Sequence, residues 1–152
     1  MRSRYCRFPS FAIVVVALLL QVATVPAQQR SHEPAELLGV WRGTSTCTDR
    51  VAAPACNDET VVYEFTSGQK PGSVHWKADK VVGGQRETMG ELDLAYASSD
   101  ACWQAEFSSP RVRGVWCLSV VDSGRMTGTA WLLPGKERVR KVDAVRDPPA
   151  RH

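Results

Sequence analysis

Short segments rich in β-branched and aromatic residues recur along this 152-residue chain, separated by clusters of Gly, Pro, Ser or Asp. They return about every 10–15 residues, a spacing typical of all-β sandwiches and barrels. Apart from one possible helical turn at Pro34–Leu37, no stretch keeps a helical period. The pattern therefore predicts eight strands, at Val40–Thr46, Thr60–Thr66, Ser73–Lys80, Glu87–Tyr96, Ala101–Phe107, Val112–Val120, Met126–Leu132 and Arg138–Val145.

The alternation of the fifth and sixth strands predicts how they pair. Folding them about Ser109-Pro110 places Trp103 opposite Trp116 on an apolar face. The same register sets Cys102 directly opposite Cys117 on the other face, where cross-strand neighbours are close enough for a disulfide.

Two further hairpins have recognisable turn residues. Asp122-Ser123-Gly124 predicts a three-residue loop with its glycine at positive φ, which places Trp116 beside Ala130. Gly83-Gly84 suits a tight turn, but a two-residue loop there would put Glu91 opposite Trp76, so we expect a bulge or a longer loop. The inward face of the last strand stays ambiguous.

Sequential antiparallel strands that share one apolar face close most naturally into an up-and-down barrel, because closure removes the exposed strand edges. The sequence therefore predicts an all-β, eight-stranded antiparallel barrel. An open two-sheet β-sandwich is the alternative.

The chain begins with three arginines, an apolar run over Phe11–Leu20 and small residues at Val25-Pro26-Ala27. This order is typical of a cleavable secretory signal, and the run is shorter than the ~20 apolar residues that a membrane span needs. We expect a signal peptide over 1–27, a linker over 28–36, a barrel domain over 37–146 and a tail over 147–152. The mature protein would be secreted or periplasmic, without a membrane span.

Removal of residues 1–27 also removes the excess positive charge, since that segment carries three arginines and no acidic residue while the whole chain has a net charge of +3. A neutral domain lacks the basic footprint of a nucleic-acid-binding protein. We therefore expect no nucleic-acid partner.

Four cysteines remain after the signal, and an even number in a small exported chain favours disulfides over metal ligands. No CxxC or Cys/His zinc spacing occurs. The strand register favours Cys47–Cys56 and Cys102–Cys117 as the two pairs.

The first strand begins Leu38-Gly39-Val40-Trp41-Arg42-Gly43. This segment resembles the opening of calycin barrels, which include lipocalins, fatty-acid-binding proteins and nitrobindin-like barrels. In such barrels a Gly-x-Trp tryptophan closes one end, and lipocalins commonly pack a basic residue on it. The resemblance implies that Trp41 has this position, with Arg140 or Arg146 as its basic partner.

The sequence predicts neither a cofactor nor an enzyme. A haem-binding barrel of nitrobindin type needs a histidine from a late strand, whereas His75 is expected on the face opposite Trp76. Glu91 and Asp93 share a strand face, which is typical of its solvent-exposed side. No nucleophile elbow, phosphate loop or metal-ligand cluster occurs.

The interior is the remaining candidate site. The large aromatic side chains expected inside the barrel are mixed with small residues such as Ala105 and Gly128, which favours a solid core. The alternative is that the small residues line a pocket for an apolar ligand. Two functions follow: a binding protein for a small apolar ligand, or an interaction protein or inhibitor that uses loops such as Cys47–Cys56 to contact a protein partner. The candidate ligand-binding residues are Trp41, Tyr63, Trp76, Trp103 and Trp116.

Overall fold

The computed structural model describes residues 32–148. The expected signal peptide, residues 28–31 of the expected linker, and residues 149–152 of the expected tail lie outside this range. A short 3₁₀ turn at Pro34–Glu36 is followed by eight strands: β1 Gly39–Cys47, β2 Glu59–Ser67, β3 Val74–Val82, β4 Gln85–Ala97, β5 Cys102–Ser108, β6 Arg113–Asp122, β7 Arg125–Leu133 and β8 Glu137–Arg146.

Each strand runs antiparallel to the next, and β8 returns to pair with β1, so the sheet is a closed barrel. The predicted up-and-down barrel is confirmed, and the sandwich alternative is wrong. Among residues 32–148, no helix has the length and apolar character required to cross a membrane.

The register predicted for β5 and β6 is wrong by two residues. Trp103 lies opposite Leu118, while Trp116 lies opposite Ala105. The cause is the connecting loop, which contains residues 109–112 and is closed by a hydrogen bond from Ser109 N to Val112 O of 2.8 Å. Because an even shift preserves strand alternation, the inward residues remain inward.

Both predicted disulfides are present. Cys117 lies opposite Gln104 rather than opposite Cys102, so the Cys102–Cys117 bridge runs diagonally, with a Cα–Cα distance of 5.6 Å. Cys47–Cys56 closes the loop between β1 and β2. That loop covers Val139, which is buried on the outside of the barrel.

The turns differ in detail from the prediction. The β6–β7 hairpin has a two-residue turn and a bulge beside Val120, and Gly124 is not at positive φ; instead its amide donates to Asp122 Oδ1 at 2.9 Å. The predicted pairing of Trp116 with Ala130 is nevertheless confirmed.

The β3–β4 hairpin uses Gly83 and Gly84, both at positive φ, in a tight turn that suits the twist of the strands. The expected bulge lies further along β4, between Thr88 and Gly90, and it brings Leu92 rather than Glu91 opposite Trp76.

One barrel end is closed by Trp41 and Arg146. The fully buried Trp41 indole donates to Leu37 O at 2.8 Å, and the Arg146 guanidinium lies 4.2 Å from the centre of the Trp41 ring. Arg146 also donates to the carbonyls of Leu38, Glu36 and Ser123. Arg146 is thus the basic partner that the resemblance left open between two arginines.

We expect Arg146→Met to lower the free energy of unfolding by about 2–4 kcal/mol, because it removes a cation–π contact and three charge-assisted hydrogen bonds. Arg138→Met, on the same strand but exposed, is the matched control and should change it little. Urea unfolding of both variants provides the measurement. Equal stability of the two would contradict the closing role of Arg146.

Candidate functional site

The barrel interior has a solid half and a hollow half. Around Trp41 and Trp103 the core is packed without solvent access. Toward the other end lies a cavity of about 400 Å³. Its lining residues come from seven of the eight strands: Ser45, Glu59, Tyr63, Trp76, Ala78, Met89, Gly90, Glu91, Leu92, Glu106, Phe107, Ser108, Trp116 and Arg140.

Aromatic rings form the base of this cavity. The Trp76 ring lies perpendicular to Tyr63 and to Trp116, at centroid distances of 5.0 and 5.4 Å, and Phe107 lies 6.3 Å from Trp116. Trp116 is only partly buried, because one side of its ring borders the cavity. These rings provide a large, rigid apolar surface.

A polar cluster lies beside the aromatic wall. Arg140 Nη1 donates to Ser45 Oγ at 2.8 Å and to Glu59 Oε2 at 3.2 Å. The Arg140 and Glu59 side chains are 18% and 19% exposed, so the ion pair is largely screened from bulk solvent. Burial raises the pKa of Tyr63 well above its usual range, although neighbouring Ser45 and Arg140 act in the opposite direction, so this phenol stays protonated and neutral.

The cavity borders a break in the barrel wall. Strands β4 and β5 pair only where Ala95–Ala97 meets Cys102–Gln104, whereas the other neighbouring strands are aligned over most of their lengths. Beyond that contact, Met89–Leu92 of β4 and Glu106–Ser108 of β5 line the cavity from either side. The separation of these two strands therefore gives the cavity a lateral opening.

Charged side chains lie on the outer face of β3 and β4, and one of them, Glu91, also lines the cavity. His75 Nδ1 lies 2.9 Å from Asp93, and His75 Nε2 lies 3.3 Å from Glu91. The hydrogen bond to Asp93 raises the pKa of His75, because it favours the protonated imidazole. All three side chains are exposed, as predicted. Within residues 32–148, no group of three or more His, Cys, Asp or Glu side chains is arranged to hold a metal ion.

The five candidate residues all lie inside the barrel, but not at one site. Tyr63, Trp76 and Trp116 line the cavity, while Trp41 and Trp103 belong to the solid half. A ligand-binding role for the first three stays a prediction.

Sequence reasoning missed the polar cluster. Ser45 continues the inward alternation of Trp41 in β1, and Glu59 precedes Tyr63 on the same face of β2, so the period of two contained the signal. For Arg140 the sequence offers no such signal, because alternation does not resolve which face of the last strand points inward.

Solved structures with this architecture share little sequence with the chain. A redesigned β-barrel, mFAP1, bound to DFHBI, is 14% identical, covers 77% of this chain and 100% of its own, and superposes with a TM-score of 0.52. The redesigned barrel mFAP0, also bound to DFHBI, has 13% identity, coverages of 74% and 99%, and a TM-score of 0.50. The odorant-binding protein from bovine nasal mucosa has 12% identity, coverages of 76% and 74%, and a TM-score of 0.49. No protein-family model and no curated protein matches the sequence.

The protein has a calycin-like fold. Trp41 at the start of β1, stacked under Arg146 from β8, agrees with the resemblance that the first strand indicated. The calycin-like barrel is closed at the Trp41 end and hollow at the other.

The two halves of the calycin-like barrel should respond differently to tryptophan removal. We expect Trp103→Ala to lower the free energy of unfolding by about 3–5 kcal/mol, because Trp103 is 2% exposed and its loss leaves a closed void. Trp116→Ala should cost about 1–2 kcal/mol, because it enlarges an existing cavity. Urea unfolding measures both; an equal loss would show that Trp116 is core rather than cavity wall.

Proposed function

We propose that the protein is an exported, non-enzymatic binding protein that holds a small, largely apolar ligand in the hollow half of its barrel. The observation that carries this proposal is the aromatic cavity of about 400 Å³ inside the barrel, with its opening between β4 and β5. Ligand sites in proteins are commonly clefts of roughly 300–1,000 Å³, mostly apolar, with a few placed polar groups.

The composition of the lining supports binding. Tyr63, Trp76 and Trp116 supply flat apolar surface, while Arg140 and Ser45 supply hydrogen-bonding groups on one side. The redesigned barrels mFAP0 and mFAP1 are bound to DFHBI. A barrel with this fold is thus compatible with a bound ligand.

The same groups favour binding over catalysis. Ser45 is the hydroxyl with a charged partner in the cavity, but that partner is Arg140, a guanidinium that cannot accept its proton. Glu59 is paired to the same guanidinium. Glu59 lies opposite Ser45 on the neighbouring strand, but its carboxylate is bound to Arg140 and no hydrogen bond joins it to the Ser45 hydroxyl. The two residues therefore lack the contact between nucleophile and base that a nucleophilic catalyst needs.

Binding through surface loops has weaker support. The Cys47–Cys56 loop presents one large exposed apolar side chain, Val51, at 92% exposure. Single exposed apolar residues are ordinary on protein surfaces. The cavity is therefore the better candidate.

Export is supported by the pattern of residues 1–27 and by the two disulfides, which persist in oxidising compartments. We expect a secreting host to release a chain that begins at Gln28, after cleavage behind Ala27. Intact mass spectrometry of the released protein measures this. A released protein whose mass still includes Phe11–Leu20 would contradict the proposal.

Gly90 offers a direct test of the cavity. It lies opposite the inward Ala78, its φ is ordinary, and a Cβ added there would meet no atom within 4 Å. A side chain at this position can therefore enter the cavity without backbone strain.

We expect Gly90→Leu to weaken binding of N-phenyl-1-naphthylamine, a neutral dye that emits in apolar surroundings, by at least about tenfold, or ~1.4 kcal/mol. The thermal unfolding temperature should not fall. Gly124→Leu is the matched control: it lies in the β6–β7 turn, and a Cβ there comes only within 3.8 Å of Asp122 Oδ1. A parent protein that does not bind the dye, or a Gly90→Leu variant that binds it unchanged, would contradict ligand binding in this cavity.

A further inference from the structure

Arg140 is the arginine that lines the cavity, and only one of its three guanidinium nitrogens is hydrogen-bonded within the protein. Both contacts of Arg140, to Ser45 and Glu59, are made through Nη1. No side chain or carbonyl in residues 32–148 accepts a hydrogen bond from its Nε or Nη2. Within that same range, Trp76 Nε1 is the one buried side-chain polar atom without a partner, so the free nitrogens of Arg140 are open to solvent.

The exposed part of the Arg140 side chain borders the cavity. Arg140 lies opposite Ala130 on the inward face of β8, and its side chain lines the cavity while being 18% exposed. The Nε–H group and one N–H of Nη2 point to the same side of a guanidinium and form a fork of two donors. The free edge of Arg140 is therefore a ready binding site for an oxygen atom of the ligand.

The charges around the cavity determine whether the ligand oxygen that binds Arg140 is neutral or anionic. The positive charge of Arg140 is already balanced by Glu59, 3.2 Å away. The remaining carboxylates on the lining, Glu91 and Glu106, lie 3.3 Å from His75 and 3.6 Å from Arg113, so these pairs leave no unbalanced positive charge at the rim for an anion. Tyr63, kept protonated by burial, adds no charge.

A carboxylate ligand would consequently share one guanidinium with Glu59. Two anions held around a single partly buried cation repel each other, and removing the second from water costs free energy that the shared cation cannot offset. A neutral carbonyl accepts the same two hydrogen bonds without this repulsion.

We propose that Arg140 binds the carbonyl oxygen of a neutral, largely apolar ligand, and that Glu59 sets the preference for carbonyl compounds over carboxylates. This inference rests on the proposed function, since it assigns the chemistry of the ligand in the same cavity. The flat surfaces of Tyr63, Trp76 and Trp116 suit a planar apolar body attached to that carbonyl.

Three naphthalene probes separate the possibilities, each measured by displacement of N-phenyl-1-naphthylamine at pH 7. They are 2-acetylnaphthalene, which carries a neutral carbonyl; 2-ethylnaphthalene, its counterpart without oxygen; and 2-naphthoate, the anion. We expect the parent protein to bind the acetyl compound at least about tenfold more tightly than the naphthoate, the penalty of one uncompensated charge.

Two variants assign this selectivity to residues. Glu59→Gln keeps an oxygen that accepts from Arg140 but removes the negative charge, so it should tighten 2-naphthoate binding about tenfold and change 2-acetylnaphthalene binding little. Combining it with Arg140→Met keeps the cavity neutral and should weaken 2-acetylnaphthalene about tenfold, the loss of hydrogen bonds to a charged donor. Binding of 2-ethylnaphthalene should be unchanged in both.

Thermal unfolding checks that each variant is folded, and the Glu59→Gln result stands alone if the double variant is not. The inference is overturned if the parent binds 2-naphthoate as tightly as 2-acetylnaphthalene, or if neither variant shifts the order of the probes while 2-ethylnaphthalene still binds. If neither the dye nor any probe binds the parent, the proposed function itself is wrong, and the inference falls with it.

Discussion

The pairing of β8 with β1 is the interaction on which the rest of the structure depends. It closes the sheet, and it places Arg146 directly opposite Trp41, where the guanidinium stacks on the indole. The same guanidinium reaches carbonyls from the 3₁₀ turn and from the β6–β7 turn, so one side chain joins three separate chain segments. Closure of the barrel therefore fixes the packing at the Trp41 end, but it does not fix the packing at the opposite end.

The two arginines of β8 illustrate this division. Arg140 and Arg146 lie on the same inward face, about 20 Å apart along the strand at ~3.3 Å per residue. At the closed end, the Arg146 guanidinium donates hydrogen bonds to backbone carbonyls and stacks on the Trp41 ring. Arg140 instead pairs with Glu59 and keeps a free edge toward the cavity. One residue type in one strand thus supports the scaffold at one end and offers a binding group at the other.

The hollow half exists because β4 and β5 separate. Around Trp103, where the two strands pair, aromatic and aliphatic side chains fill the interior. Past that point, β4 contributes Gly90, whose missing side chain leaves open space, and no partner strand covers the gap. Large residues alone do not fill a barrel; the distance between the strands that carry them decides whether they meet.

The resemblance of the first strand to calycin barrels implied which tryptophan closes one end. The sequence by itself determined the number of strands, the inward faces of all but the last strand, and the disulfide partners. These follow from local properties: alternation with a period of two, turn residues, and an even number of cysteines. Only the tertiary structure decided the register of β5 on β6. A loop that is longer by two residues preserves the alternation of both strands, yet it moves Trp103 from a position opposite Trp116 to one opposite Leu118. The tertiary structure also decided that the core is solid at one end and hollow at the other, and that Arg140 faces inward beside Ser45 and Glu59, because each depends on how distant strands approach one another after the barrel closes.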